Sequence, residues 1–289
     1  MVHWYRAGEK IQCFDVVIRP GRSKATELRE LWSYKYLIWL MVKRDFIVRY
    51  KQTVLGPAWA FIQPVMNTLI LALVFGRIAG LSPDGIPEFL FYMSGQIVWI
   101  FFSGSLSRIS TTFIDNAHVM SKVYYPRLTA PVVTLCSFGI TGGIQVIMFV
   151  GIYLWYILRG TVFMPDPLLL FLLPAILLQV AMLALGTGIV ISGLTTRYRD
   201  LVMLVSFGIS LWMYLGPIAY DISIVPEKYL RLYMLNPLTV PIQLVRSAFF
   251  GTVRPAIQYC LLSIVITAGI LILGLRTFSR VERTFIDTV

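Results

Sequence analysis

The sequence is poor in charged residues. Only 13% of its 289 residues are Asp, Glu, Lys or Arg, and 57% are hydrophobic, with a mean hydropathy of +0.76. Soluble domains carry about 25% charged residues, so this chain cannot cover a folded surface with polar side chains. It is predicted to be an all-α integral membrane protein. At about 20 apolar residues per span, it has room for about six spans but not for an additional soluble domain.

Cysteine and histidine are also scarce. The three cysteines, Cys13, Cys136 and Cys260, show no CxxC spacing, and the two histidines, His3 and His118, have no neighbouring ligand in the sequence. This pattern predicts neither a metal site nor a disulfide framework. Residues 1–35 are charged and mixed, without the apolar run and cleavage site of a signal peptide.

Nucleotide-binding patterns are missing. No GxxxxGK[ST] motif is present, and Gly186 and Gly188 lie inside an apolar span without a preceding strand. These glycines indicate helix packing, as does the GxxxG spacing of Gly139 and Gly143. No cofactor is therefore expected in this chain.

Acidic residues are absent from the middle of the predicted spans, although ion-coupled transporters usually carry them there. The driving force for any transport is therefore expected to come from elsewhere. A membrane-embedded glycosyl- or acyltransferase would need an acidic or histidine-containing set at one membrane face. On the outer side the only paired carboxylates, Asp84 with Glu88 and Asp221 with Glu227, are typical of solvated turns, and no His/Asp cluster occurs on the inner side, so an enzyme is not expected.

Basic residues dominate the charge, which is +11 in total. Most of the 25 Lys and Arg residues fall on one side of the predicted spans, the side that holds both termini. By the positive-inside rule this side is cytoplasmic. Lys and Arg that flank apolar spans bind lipid headgroups, so membrane lipids are expected as partners and nucleic acid is not.

The predicted organisation has three parts: a polar cytoplasmic lead-in (1–30), an amphipathic interfacial helix (31–52) and a six-span domain (53–289). Apolar residues recur at helical spacing in the second part, and its basic residues fall away from that stripe. The stripe comprises Trp39, Val42, Phe46 and Tyr50. The predicted spans are Ala58–Ile78, Phe89–Ser110, Leu128–Leu154, Leu168–Leu194, Leu201–Ala219 and Ala256–Leu275.

The connection between the fifth and sixth spans, Tyr220–Pro255, is too long for a turn. It contains two apolar pieces, Tyr229–Leu235 and Thr239–Phe250, separated by Asn236 and Pro237. Two short re-entrant helices on the outer side are predicted, because irregular backbone facing lipid would lack hydrogen-bond partners. A seventh span is the alternative.

Polar and aromatic side chains share helical faces on three spans. This pattern is typical of interhelical hydrogen bonds or of a conduit whose hydroxyls, amides and rings would suit sugars. The candidate conduit residues are Tyr92, Gln96, Trp99 and Ser103 on the second span, Gln63 and Asn67 on the first, and Ser206, Ser210 and Tyr214 on the fifth.

The loop that follows the second span also carries a pattern. Its Asp115–Val123 part is predicted to form a short helix, with Asp115 near the positive end of the helix dipole and Pro126 preventing continuation. Two interpretations remain open, a loop facing headgroups and a docking element for a soluble partner.

Several segments together resemble one family. The entry segment RDFIVRYKQTVLGPAWAFIQP, the loop NAHVMSKVYYPRLTAP, the connection TTRYRDLVMLV, the outer loop from GPIAYDISIVPEKY onward and the tail FSRVERTFIDTV occur in order along residues 31–289. They resemble ABC-2 type permeases that export polysaccharides such as O-antigen, capsule or teichoic acid. A permease for a drug, lipid or other small amphiphile is the alternative.

The resemblance implies a homodimeric permease of the cytoplasmic (inner) membrane, paired with a soluble ABC subunit that binds ATP and Mg²⁺. The substrate would be a lipid-linked polysaccharide. The implied roles are lipid-pyrophosphate contact for Arg44, Arg49 and Lys51, ATPase coupling for Asp115, Asn116, His118 and Lys122, and an outer gate for Asn236, Pro237 and Arg246.

Overall fold

A computed structural model describes residues 31–51, 56–120, 125–162, 164–196, 198 and 200–285, without the side chains of residues 57, 117–120 and 279–285. The predicted lead-in, residues 1–30, lies outside this range. The described residues form helices and turns with no β-strand among them.

The helices follow one another with short connections. They are α1 (Lys35–Tyr50), α2 (Trp59–Leu71), α3 (Glu88–Ser110), α4 (Thr112–Met120), α5 (Thr129–Leu158), α6 (Pro167–Thr195), α7 (Leu201–Leu215), α8 (Glu227–Tyr233), α9 (Thr239–Phe250) and α10 (Ile257–Phe285). A 3₁₀ turn, Gly56–Ala58, leads into α2, which continues as a π-helix, Ala72–Ile78.

Five helical stretches in the described residues are long and apolar enough to cross a membrane. They are Trp59–Ile78, Glu88–Ser110, Thr129–Leu158, Pro167–Thr195 and Ile257–Phe278. The prediction of an all-helical, multi-pass membrane protein is therefore confirmed.

The predicted fifth span, Leu201–Ala219, is shorter in the structure. Helix α7 has 15 residues and ends at Leu215, which gives a length of about 22 Å against a hydrocarbon core of about 30 Å. Gly216 is extended (φ −104°, ψ 159°) because the residue before a proline, here Pro217, is disfavoured in helical conformation.

Helix α3 is the centre of the bundle and the most buried of the five membrane-span candidates. It packs against α2, α5, α6, α7 and α9. Helices α6 and α10 also pack closely against each other. A Cβ added to Gly186 of α6 would lie 2.7 Å from the Cα of Leu271 on α10. This contact confirms the packing role predicted for Gly186. Gly139 and Gly143 instead have no atom within 4 Å of a built Cβ, so the GxxxG spacing packs no described helix of this chain.

Helix α1 lies against α5. Of the predicted apolar stripe, Val42 is buried and Trp39 is exposed. A second apolar cluster lies at the end of the bundle where α3, α4 and α5 meet. This α4 cluster comprises Leu31, Ile109, Phe113, Leu128, Ile189 and Phe278.

Candidate functional site

A cavity of about 740 Å³ lies between α1, α2, α3, α5 and α7. It is open on one side and interleaves apolar side chains with amides, hydroxyls and aromatic rings. Six of the candidate conduit residues line it: Gln63, Asn67, Gln96, Trp99, Ser103 and Tyr214. These six residues come from three helices, α2, α3 and α7, which the fold brings together.

The cavity has a buried wall and an exposed rim. Gln96, Trp99 and Gln145 are 3%, 6% and 2% exposed and form what we call the deep wall. The rim residues Asn67 and Tyr214 are exposed. On the deep wall, the Oε1 atoms of both glutamines are buried without a hydrogen-bond partner. Burial of an amide oxygen without a hydrogen-bond partner is unfavourable.

Sequence reasoning missed Gln145 and Thr141, which lie four residues apart on α5 and both line the cavity. The signal was the same polar spacing that marks Gln63 and Asn67 on α2.

Three candidate conduit residues do not line this cavity. Tyr92 is fully buried in the core of the bundle. Ser206 and Ser210 are exposed on α7, where their hydroxyls donate to the Val202 and Ser206 carbonyls at 3.0 Å each. Hydroxyls bonded to their own helix backbone need no other partner, which explains their position on an open face.

The three basic residues assigned to a lipid pyrophosphate occupy different surroundings. Arg44 pairs with Asp45 at 2.9 Å, and Lys51 is exposed at the end of α1. Arg49 lies over the Phe138 ring, 4.6 Å from its centroid, and lines the cavity. Arg49 is thus the member of this set that contacts the cavity.

Helix α4 begins at Thr112, three residues before the predicted start at Asp115. Thr111 Oγ1 donates to Asp115 Oδ2 at 2.8 Å, and Asn116 Nδ2 donates to the Thr112 carbonyl at 2.9 Å. These bonds stabilise the first turn of α4. The side chain of His118 and the whole of Lys122 lie outside the described residues.

The α4 cluster joins this short helix to the bundle. Phe113 stacks against Phe278 of α10, with ring centroids 5.7 Å apart. Next to the cluster, Thr195 Oγ1 of α6 donates to the Ser110 carbonyl at the end of α3 at 2.6 Å. A displacement of α4 would therefore act on α3, α6 and α10 directly.

Helices α8 and α9 occupy the opposite end of the bundle and flank Asn236 and Pro237, where the sequence predicted a break. Helix α9 is buried against α3 and α6. Asn236 bonds to α7, since its Nδ2 donates to the Leu215 carbonyl and its Oδ1 accepts from Trp212 Nε1, both at 3.2 Å. The Pro237 carbonyl accepts from Ser263 of α10 at 3.0 Å.

Arg246 of α9 is fully buried. Its guanidinium donates to the carbonyls of Tyr220 at 3.1 Å and Ile218 at 3.2 Å, and lies 3.7 Å from the centroid of the Phe91 ring. The two candidate gate side chains Asn236 and Arg246 thus tie α9 to the end of α7 and to α3.

A separate ion pair joins Asp166, the N-cap of α6, to Arg254. Desolvation raises the pKa of the Asp166 carboxyl, but hydrogen bonds from the backbone of Leu169 and Leu168 and the charge of Arg254 outweigh it. The pKa of Asp166 is consequently lowered. No group of His, Cys, Asp and Glu suited to a metal ion occurs within the described part of the chain.

The fold and the cavity define a multi-pass helical membrane protein with an open space between its spans. Residues 36–250 match the ABC-2 type transporter family. Because the match covers well over half of the chain, the protein belongs to that family.

Relatives align along about three quarters or more of the chain. The O-antigen export system permease protein RfbA of Klebsiella pneumoniae is 28% identical, over 90% of this chain and 98% of the relative. A protein of the same name from Myxococcus xanthus is 26% identical over 73% of this chain and 79% of the relative. The capsule polysaccharide export inner-membrane protein CtrC of Neisseria meningitidis is 23% identical over 90% and 96%.

Proposed function

We propose that this chain is the permease subunit of an ATP-driven exporter that moves a lipid-linked polysaccharide across the cytoplasmic membrane. The observation that carries the proposal is the cavity between the spans, where amides and an indole share one wall. Sugars present hydroxyls to amides and C–H faces to aromatic rings. The relatives named for O-antigen and capsule export support the same substrate class.

The energy would come from a separate nucleotide-binding subunit, which would hold ATP and Mg²⁺. We place its docking surface at α1 and α4. The support for α4 is mechanical: Phe113 packs on Phe278, and the neighbouring Thr195–Ser110 bond links α6 to α3. A displacement of α4 would be transmitted to α3, α6 and α10 through side-chain contacts rather than through a loop.

A second copy of the chain would close the open side of the cavity. Helix α7 has no buried residue, although it is almost entirely apolar. Its exposed side chains include Phe207 and Leu211, and α2 exposes Phe61 and Met66. Two copies that face each other across these helices would enclose a shared conduit, so we propose a homodimer.

In this arrangement both termini lie in the cytoplasm, and the basic end of α1 lies at the inner headgroup level. Arg49, at the cavity, and its neighbours Arg44 and Lys51 would attract the pyrophosphate of the lipid anchor. Helices α8 and α9 would enter the outer leaflet as re-entrant helices. Asn236, Pro237 and Arg246 would form the outer gate, because Asn236 and Arg246 hold the end of α7 beside the cavity and the Pro237 carbonyl bonds to α10.

The competing function is export of a drug, a lipid or another small amphiphile. Such a substrate needs apolar walls but not amides. The exposed amides of Gln63 and Asn67, which line the same cavity, favour the polysaccharide.

Gene deletion tests the proposed function. We expect loss of surface polysaccharide and accumulation of lipid-linked polymer on the cytoplasmic side, both reversed by the wild-type gene. An ATPase subunit should copurify with the tagged permease from native membranes. Intact surface polysaccharide after deletion would refute the proposal, and loss of drug or lipid efflux instead would establish the competing function.

A further inference from the structure

We infer that the end of the first span, Ala72–Ile78, changes between a π-helical and an α-helical register during transport. This π segment continues α2 without a break and is the only π-helix among the described residues. Helices of this type are rare, mostly single turns, and frequent at functional sites. The inference rests on the proposed function for its source of energy, the ATPase subunit, and for its topology, which places the π segment on the outer side.

The first argument is the spacing of the buried positions along the span. Small or compact residues recur at every fourth position, and all five are buried: Ala60, Pro64, Thr68, Ala72 and Gly76. In an α-helix, with about 3.6 residues per turn, each step of four residues drifts by about 40° around the axis. A π-helix closes its hydrogen bond one residue later, so its wider turn counteracts this drift. The π segment therefore keeps Ala72 and Gly76 on the side that packs against α3.

The second argument is that contacts with α3 favour the π register. Gly76 lies so close to α3 that a built Cβ would be 3.2 Å from side-chain atoms of Glu88 and Tyr92. The next residue, Arg77, pairs with Glu88 through Nε and Oε2 at 3.6 Å. Arg77 follows Ala72 by five residues, and in an α-helix the fifth residue is turned about 140° away from the first. The wider π turn brings it back toward α3.

The third argument is that the sequence also fits the α register. Seven residues make almost two turns of an α-helix, so Ala79 would then share the face of Ala72 and lie against α3. Alanine is small enough for that buried position. In the structure Ala79 is instead exposed, and its N–H donates to the Val74 carbonyl, five residues back, at 3.0 Å. A change to the α register would bury Ala79 and turn Arg77 away from Glu88.

The change would act on the cavity directly. Val74 and Phe75 belong to the π segment and line the cavity, so a change of register rotates side chains at the outer end of the space between the spans. The contact that is given up is weak, because Arg77 is 80% exposed and exposed ion pairs contribute little. Backbone hydrogen bonds are made in both registers, so the span does not have to unfold.

Cysteine accessibility in the full-length permease with its ATPase subunit, in lipid nanodiscs, tests the change of register. Ala79→Cys is made in a chain whose three native cysteines are replaced by serine, and it is labelled with a membrane-impermeant maleimide. We expect rapid labelling without nucleotide. In the complex trapped with ATP and vanadate, labelling should be about 10-fold slower, as expected when the exposed form falls to about a tenth of the population. Ile78→Cys is the matched control, because position 78 lies off the α3 face in both registers and should label equally in both states.

The size of the side chain at position 79 provides a second test. Ala79→Leu fits the exposed position of the π register but not the buried position of the α register. We expect a wild-type Tm and normal copurification of the ATPase subunit, with export of the polymer reduced about 10-fold or more. Ala79→Ser is small enough for both positions and should retain export.

Three results would overturn the inference: no labelling of Ala79→Cys without nucleotide, equal labelling of Ala79→Cys in the two states, or wild-type export by Ala79→Leu. If any of them occurs while gene deletion still accumulates lipid-linked polymer, the change of register is wrong and the proposed function stands. If deletion accumulates no polymer, the proposed function itself fails.

Discussion

Replacement of Arg246 tests how the α8–α9 end of the protein is held together. The side chain is fully buried, and its two hydrogen bonds reach carbonyls of the segment that follows α7. Arg246→Met keeps the length and the apolar stem. It removes the donors and leaves the buried carbonyl of Ile218 and the half-buried carbonyl of Tyr220 without these partners.

The expected loss of stability follows from these contacts. A buried acceptor left without its donor costs about 1–3 kcal/mol, so two cost about 2–6 kcal/mol. Asp221, which is 9% exposed, also loses the attraction of a nearby cation. Removal of the desolvated guanidinium offsets part of this cost. We expect a net destabilisation of about 3 kcal/mol, which lowers Tm by about 6–12 °C for a chain of this size.

The assay is thermal unfolding of the purified protein in nanodiscs, followed by tryptophan fluorescence. Arg231→Met is the matched control, because Arg231 is an exposed arginine on neighbouring α8. Arg246→Lys should fall between the wild type and Arg246→Met, since an ammonium cannot bond both carbonyls in the plane of a stacked guanidinium. Equal Tm values for Arg246→Met and Arg231→Met would refute the reasoning. A fully stable Arg246→Lys would show that charge alone matters.

Three further predictions concern backbone contacts and pH. Gly186→Ala should force α6 and α10 apart and destabilise the protein by about 1–3 kcal/mol. The control is Gly139→Ala, which has open space at its Cβ and should leave Tm unchanged. Similar Tm values for the two variants would contradict the close contact. Gly56 has φ +50°, so Gly56→Ala should destabilise the protein by about 1–2 kcal/mol; an unchanged Tm would contradict the left-handed backbone at this position. Because the pKa of Asp166 is lowered in the folded protein, its pair with Arg254 stabilises the fold above the ordinary aspartate pKa of about 3.9 and loses that effect as the pH falls through the lowered value. The Tm of the wild type should therefore exceed that of Asp166→Asn, which keeps the N-cap, at pH 7. The gap should begin to narrow below about pH 4 and close once the pH has fallen past the lowered pKa of Asp166; a gap that does not change with pH would contradict the ion pair.

Local patterns in the sequence were sufficient for most helices. The apolar runs predicted the five long spans to within a few residues, and Asn236 and Pro237 predicted the break between α8 and α9. These signals are local because burial in lipid, proline and the helix period each act within a few residues. The end of α7 was the exception, since the apolar run continues past Gly216 and Pro217 and hides the stop.

The candidate site depended on contacts between distant segments. Helical spacing showed that Gln96 and Trp99 share a face, but it did not show which other helix that face meets. Gln145 lines the cavity because α5 packs beside α3. Tyr92 is buried in the core, although helical spacing puts it on the same face of α3 as Gln96 and Trp99.

Composition and short-range patterning thus decided that this chain is a helical membrane protein, and where most of its helices begin and end. Its lack of charge excluded a soluble fold. In lipid, helices are stable because each pairs its own backbone N–H and C=O groups in hydrogen bonds. Only the packing of the helices decided which polar groups remain without partners. The Gln179 amide donates to Ser263 on α10, whereas the buried Oε1 atoms of Gln96 and Gln145 have no hydrogen-bond partner. That difference arises from neighbours far apart in the sequence, which the helix period does not specify.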